Sequence, residues 1–208
     1  MANELNITPT KGSLLAVQKS LQLSTLGFEL LDRKRNILIR EMMLLIDKAK
    51  QLRGEISSTF GEAYDALQEA NITLGVVQDI AAAIPIDDGL TITYRSVMGV
   101  EIPNVRLAEW KLEMCYGFDR TNSRFDYAYA CFQKAKKITA LLAEVENSVY
   151  RLANAIRKTQ RRANALENIV IPRYQETAKF ITDALEEKDR EEFSRLKVIK
   201  AAKLKKQA

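Results

Sequence analysis

Between Ile138 and Val170 an apolar or small side chain recurs in alternating steps of four and three. The positions are Ile138, Leu142, Val145, Val149, Leu152, Ile156, Thr159, Ala163, Leu166 and Val170. This is the 3.5-residue period of a coiled-coil seam. No glycine follows Gly117, and Pro172 is the only proline beyond that point. The pattern predicts one helix from near Ser123 to near Lys200, on the order of 110–120 Å long at 1.5 Å per residue. A helix with a single apolar stripe cannot bury it alone, so the rest of the chain must supply a partner.

The N-terminal half carries a matching seam. Thr8-Pro9 reads as a helix start, since threonine caps free amides and proline is tolerated in the first turn. The seam then follows Leu14, Val17, Leu21, Ser24, Phe28, Leu31, Arg35, Leu38, Met42, Leu45, Ala49, Leu52 and Ile56. Gly27, Gly54 and Gly61 each cost this helix roughly 1 kcal/mol against alanine. Its end is expected near Ala83, just before Pro85. Residues 84–117 differ in kind. Leu90–Val97 alternates and is β-prone, Met98-Gly99 suits a turn, and Val100–Leu107 returns as a second strand. Pro103 restricts that strand to an edge. Ser123 with Asp126 fits a capping box for the second long helix.

The predicted fold is therefore all-α: a long antiparallel two-helix coiled coil with a small α/β-hairpin insert at one end. The divisions are 8–83 for the first helix, 84–117 for the insert, 118–200 for the second helix and 201–208 for a basic tail. Antiparallel pairing sets Met42 opposite the region of Ile156 and Leu31 opposite the region of Leu166. Both termini then share one end and the insert occupies the other, where it is expected to be replaceable without loss of the paired helices. Each seam side chain removed from water stabilises the pair by about 1.5–3 kcal/mol.

Composition removes most chemistry. The chain of 208 residues is 47% hydrophobic and 28% charged and contains no histidine, so imidazole acid–base catalysis is excluded. Phosphate-loop and dinucleotide glycine motifs are absent. Cys115 and Cys131 form neither a disulfide framework nor a zinc set, and both read as inert thiols. Glu186, Glu187, Asp189, Glu191 and Glu192 alternate with Lys188 and Arg190, the pattern of a solvated helix face. Tyr127, Tyr129 and Phe132 read as core or docking surface. No catalytic, cofactor-binding or metal site is expected, and no cofactor. No signal peptide is recognisable at the start, and no apolar run approaches the ~18 residues of a membrane span.

Charge is distributed unevenly. Gly54–Asn104 holds eight acidic residues and one basic, whereas Ser194–Ala208 holds six basic and no acidic. Two further clusters, Arg33-Lys34-Arg35 and Arg157-Lys158 with Arg161-Arg162, fall at one level under antiparallel pairing. They read either as ordinary solvated flanks or as a belt that meets acidic groups of a partner. The basic tail alone would also attract phosphates, but no nucleic-acid-binding motif accompanies it. The alternatives are a structural coiled-coil adaptor and a nucleic-acid binder acting through the tail.

Several stretches resemble one family. Ile7-Thr-Pro-Thr-Lys11, Gly27-Phe-Glu-Leu-Leu-Asp-Arg-Lys-Arg35 and Glu191-Glu-Phe-Ser-Arg-Leu-Lys-Val-Ile-Lys200 are similar to segments of the D subunits of V-type and A-type rotary ATPases. The most specific match is Arg161-Arg-Ala-Asn-Ala-Leu-Glu-Asn-Ile-Val-Ile-Pro-Arg173, including its proline. The resemblance covers both helices but not the insert. It implies a non-catalytic central-stalk rotor shaft that transmits torque between the nucleotide-processing ring of A and B subunits and the ion-translocating membrane rotor. The implied partners are the A, B and F subunits of the ATPase and the coupling subunit on the membrane rotor, with the chain cytoplasmic and peripheral to the membrane. On that reading Arg33, Lys34, Arg35, Arg157, Lys158, Arg161 and Arg162 face the A/B ring, and the insert is the lower docking surface.

Overall fold

The computed structural model describes residues 8–86, 88–108 and 116–207, with side chains to Lys203 and without that of Phe118. Ile7, Trp110, Cys115 and the side chains of Lys205 and Lys206 lie outside the described residues. In chain order the elements are α1 (Lys11–Leu74), α2 (Gln78–Ala82), β1 (Leu90–Val97), β2 (Val100–Leu107), a single 3-10 turn (Phe118–Arg120), α3 (Ser123–Ala165), a π-turn (Leu166–Val170) and α4 (Ile171–Gln207). Two compact units result, Met1–Arg35 with Lys158–Ala208, and Asn36–Arg157. The class is the predicted one, paired long helices with one two-stranded antiparallel hairpin.

Three helix ends follow local hydrogen-bonding chemistry away from the sequence expectation, and a fourth differs because α4 runs on to Gln207, through the residues expected as a tail beyond Lys200. α1 is capped by Thr10 rather than Thr8. Thr10 Oγ1 accepts the Ser13 N–H at 3.1 Å, and Ser13 Oγ accepts the Thr10 N–H at 3.0 Å, a reciprocal box. α1 ends at Leu74, short of Ala83, because Gly75 adopts φ +77 and its N–H donates to Asn71 O at 2.9 Å. That left-handed closure suits glycine and stops the helix. α3 is capped by Asn122, whose Oδ1 accepts the Phe125 N–H at 3.0 Å. Asp126, expected to complete a box with Ser123, instead accepts the Tyr116 hydroxyl at 2.6 Å.

In the unit that holds both chain ends, the first part of α1 lies antiparallel to the end of α3 and to α4. A methyl group on Gly27 would meet Leu166 Cδ1 at 3.8 Å, Arg35 reaches Gln160, and Lys188 Nζ donates to Pro9 O at 3.3 Å. Val17, Ala163 and Ile181 are buried. The π-turn lies within the motif-bearing stretch: the Ile171 N–H donates to Leu166 O, five residues back. Proline lacks an N–H and its ring crowds the carbonyl four residues earlier. The wider turn just before Pro172 accommodates this without ending the helix. It also shifts the seam by one residue. Inward positions continue as Val170, Tyr174, Thr177 and Ile181, so two steps of four adjoin where three was due. Buried Thr177 satisfies its hydroxyl on Arg173 O at 2.7 Å.

In the other unit, α1 from Asn36 lies antiparallel to α3. Arg53 pairs with Glu146 at 2.8 Å, Glu69 with Arg124 at 2.9 Å, and Tyr64 packs edge-on against Phe132. One core cluster joins Ala70, Val77 and Phe125. The second joins Leu38 and Leu152 with Ile102 of β2, surrounded by Met42, Leu45, Val97, Val100, Ala155 and Ile156. Met42 and Ile156 thus share a cluster, as the pairing required. The hairpin does not hang free of the helices. It folds back along α3 and contributes a core residue, Ile102, which with Val97 and Val100 packs against Leu38 and Leu152.

Leu152 is fully buried in this cluster. Leu152→Ala should cost about 2–5 kcal/mol in chemical denaturation, and should speed amide exchange in β2 because Ile102 loses its support. Gly27, Gly54 and Gly61 are helical, and an added methyl meets ordinary or open space at each. Alanine at any one should raise stability by about 0.5–1 kcal/mol, measured by thermal unfolding.

Candidate partner interface

The two basic clusters begin as helix-flank residues, and pairing decides which of them face water. Arg35 does not. It falls on the seam, is half-buried, and its guanidinium donates to Gln160 Oε1 at 2.8 Å while pairing with the Asp32 carboxylate. Gln160 Nε2 in turn donates to Asn164 Oδ1 at 2.6 Å. A polar chain thus crosses from α1 to α3 at this level, which sets the Arg33–Arg35 segment beside the segment bearing Lys158, Arg161 and Arg162. Arg33 points outward with only a long 3.8 Å contact to Glu29, and Lys34 is half-buried. Lys158, Arg161 and Arg162 are exposed, and none has an ion-pair partner among the described residues. Arg157 is likewise exposed but belongs to the other unit.

Exposed cations without fixed partners present a positive field that salt screens over about 8–10 Å. They can attract carboxylates of another protein, each contact being worth about 0–1 kcal/mol. Arg35 plays a different part, holding the two helices in register through its hydrogen bonds.

Two features go beyond the sequence expectation. Leu15, Leu23, Leu26 and Leu30 are each more than half exposed and lie on one face of α1, turned away from the seam. Their helical spacing is a legible signal, but it is overlaid by the stronger period of the seam. The second feature is the attachment of the hairpin to α3. Glu144 Oε2 accepts the Val105 N–H at 2.7 Å, Arg151 Nη1 donates to Glu101 O at 3.3 Å, and the Arg151 guanidinium lies 5.4 Å from the centre of the Tyr94 ring. These are isolated residues far apart in sequence, so no local motif marks them.

The described residues include no group of three or more carboxylates and cysteines placed to hold a metal ion. Cys131 is a buried free thiol. Beside it the Tyr127 phenol is held above its ordinary value by a hydrogen bond to Cys131 and by nearby charge, including Glu62 and Glu69. It therefore stays protonated at neutral pH. No described helix is long and apolar enough to cross a membrane.

Comparison with known proteins accounts for this architecture. The family of ATP synthase D subunits matches residues 13–201. The V-type ATP synthase D subunit of Thermotoga neapolitana is 45% identical over 198 residues, covering 94% of this chain and 98% of that protein. The A-type ATP synthase D subunit of Pyrococcus furiosus is 38% identical over 206 residues, covering 97% and 96%. That of Thermococcus gammatolerans is 39% identical over the same length. A shared coiled-coil period alone would not give identity at this level over nearly the whole chain: this protein belongs to the family of ATP synthase D subunits and is a subunit of a rotary ATPase.

Proposed function

We propose that the chain is the non-catalytic central-stalk shaft of its rotary ATPase, carrying torque between the A/B ring and the membrane rotor. The observation that carries this reading is the nearly full-length match to the D-subunit family, residues 13–201. The paired helices supply what such a part needs. Every described seam position is buried or half-buried, so apolar contact holds the helices together within each unit while their outer faces stay available. The partners are the A, B and F subunits and the coupling subunit of the membrane rotor. The chain is cytoplasmic and peripheral to the membrane within that assembly.

The ring-facing surface is assigned to Arg33, Lys34, Arg157, Lys158, Arg161 and Arg162, with the exposed leucines of α1 beside the first of these. Arg35 joins them by position but serves chiefly to hold register. A turning part should not be trapped at one angle by deep ion pairs. Exposed charges across a wet gap bias the angle weakly and let it go.

Single alanine changes at Arg33, Arg161 or Arg162 should alter stability by less than about 0.5 kcal/mol. Arg35→Ala should cost about 0.5–1.5 kcal/mol through its lost hydrogen bond to Gln160. The combined reversal of Arg157, Lys158, Arg161 and Arg162 to glutamate should leave helical content unchanged in circular dichroism. It should impair insertion into the A/B ring or lower torque in single-molecule rotation. Normal assembly with normal torque would remove these residues from the interface.

A further inference from the structure

The two edges of the hairpin are treated very differently. The β2 edge is closed. The register pairs Val97 with Val100 next to the Met98-Gly99 turn, then Arg95 with Ile102, Thr93 with Asn104 and Thr91 with Arg106. Met98 and Gly99 both have positive φ, the two-residue turn that closes on a hydrogen-bonded pair. The ladder hydrogen bonds therefore fall on 91, 93, 95 and 97 of β1, and on 100, 102, 104 and 106 of β2. The outward groups of β2 belong to Glu101, Pro103 and Val105. The Glu101 carbonyl accepts from Arg151, Pro103 has no N–H, and the Val105 N–H donates to Glu144.

By the same parity, the outward N–H and C=O groups of β1 belong to Leu90, Ile92, Tyr94 and Ser96. No third strand pairs with them among the described residues. Seven of the eight β1 residues are exposed. β1 also lacks the usual protection of an open edge: it has no proline and no lysine, and its pairing with β2 runs without a bulge. Side chains alternate across the sheet, so Leu90, Ile92 and Tyr94 stand on one face and Thr91, Thr93 and Arg95 on the other.

We propose that the outer edge of β1 is a strand-addition site for an extended segment of a neighbouring subunit. The segment adds as a third strand on Ile92, Tyr94 and Ser96. It sets apolar side chains beside Leu90, Ile92 and Tyr94, and an acidic side chain beside Arg95, whose sheet face also carries Arg106. Charge disfavours a second copy of this chain as the occupant. β1 carries an arginine and no carboxylate, so self-pairing supplies no counter-charge. Main-chain hydrogen bonds would provide affinity, and the two faces specificity.

The inference rests on the chain being a subunit of the rotary ATPase. The test compares amide exchange in the isolated full chain with that in the complex purified from native membranes. Exchange at Ile92, Tyr94 and Ser96 should slow about tenfold or more on assembly, while Thr93 and Arg95, already in the ladder, change less. Ile92→Pro removes an outward donor and spares the ladder, and Arg95→Glu keeps the backbone and reverses the charge. Each should abolish the added protection at Tyr94 and Ser96 with the hairpin ladder intact. Equal exchange in the isolated and assembled chain overturns the proposal alone, whereas absence of the chain from the complex overturns it together with the functional reading. A concentration-dependent dimer of the isolated chain that Ile92→Pro dissolves assigns the edge to a second copy, and also overturns it.

Discussion

Burial of one apolar stripe per helix is the constraint on which everything else depends. Neither long helix has a second apolar face wide enough to make its own core, so each element is placed by what it does to the seam. Within the unit bearing both chain ends, Val17, Ala163 and Ile181 are buried along it. In the other unit Leu38 and Leu152 meet across it, and the hairpin inserts Ile102 beside them. At about 1.5–3 kcal/mol per fully buried side chain, these contacts outweigh any of the exposed ion pairs by a wide margin. Pairs such as Arg53 with Glu146 therefore tune register more than they hold the fold.

The π-turn follows from the same constraint. Pro172 removes one hydrogen-bond donor from the helix, and a strict seven-residue seam would carry the strain into the packing. An extra residue in one turn absorbs the proline and returns Thr177 and Ile181 to the inward face. Gly27 sits opposite Leu166, the first residue of that turn, with room for a methyl group beside it. The irregular turn thus meets a smooth stretch of α1.

The seam is the most legible part of the sequence. Its positions, from Leu14 to Ile56 and from Ile138 to Val170, are all buried or half-buried. The turn at Met98-Gly99 and the two strands are also legible, because alternation and turn chemistry are local signals. Helix ends are less so. Thr8, Ala83 and Ser123 lose to Thr10, Gly75 and Asn122, since several neighbouring residues offer competent caps and only geometry chooses among them. Arg35 belongs to both the seam and the basic cluster, and a charged residue on a seam is itself the sign of a polar partner, Gln160. The return of the hairpin onto α3 is not legible. It rests on Glu144 and Arg151, which look like ordinary helix-flank charges until the strand lies beside them. From sequence alone the insert is a free appendage at one end. In the fold Ile102 makes it part of the core, and a replacement loop would uncover Leu38 and Leu152.

The separation between seam and surface also bears on the proposed role. A shaft that must turn needs internal contacts that never release and external contacts that release easily. Buried apolar contacts satisfy the first requirement, because breaking them exposes area to water. Exposed cations satisfy the second, because each contact is worth about 0–1 kcal/mol and is screened by salt. Arg35 marks the boundary between the two regimes. Drawn into the helix pair by Gln160 and Asp32, it gives up mobility for register, while Arg33, two residues earlier, remains in solvent. The same residue type therefore serves cohesion or contact according to which side of the seam its helix presents.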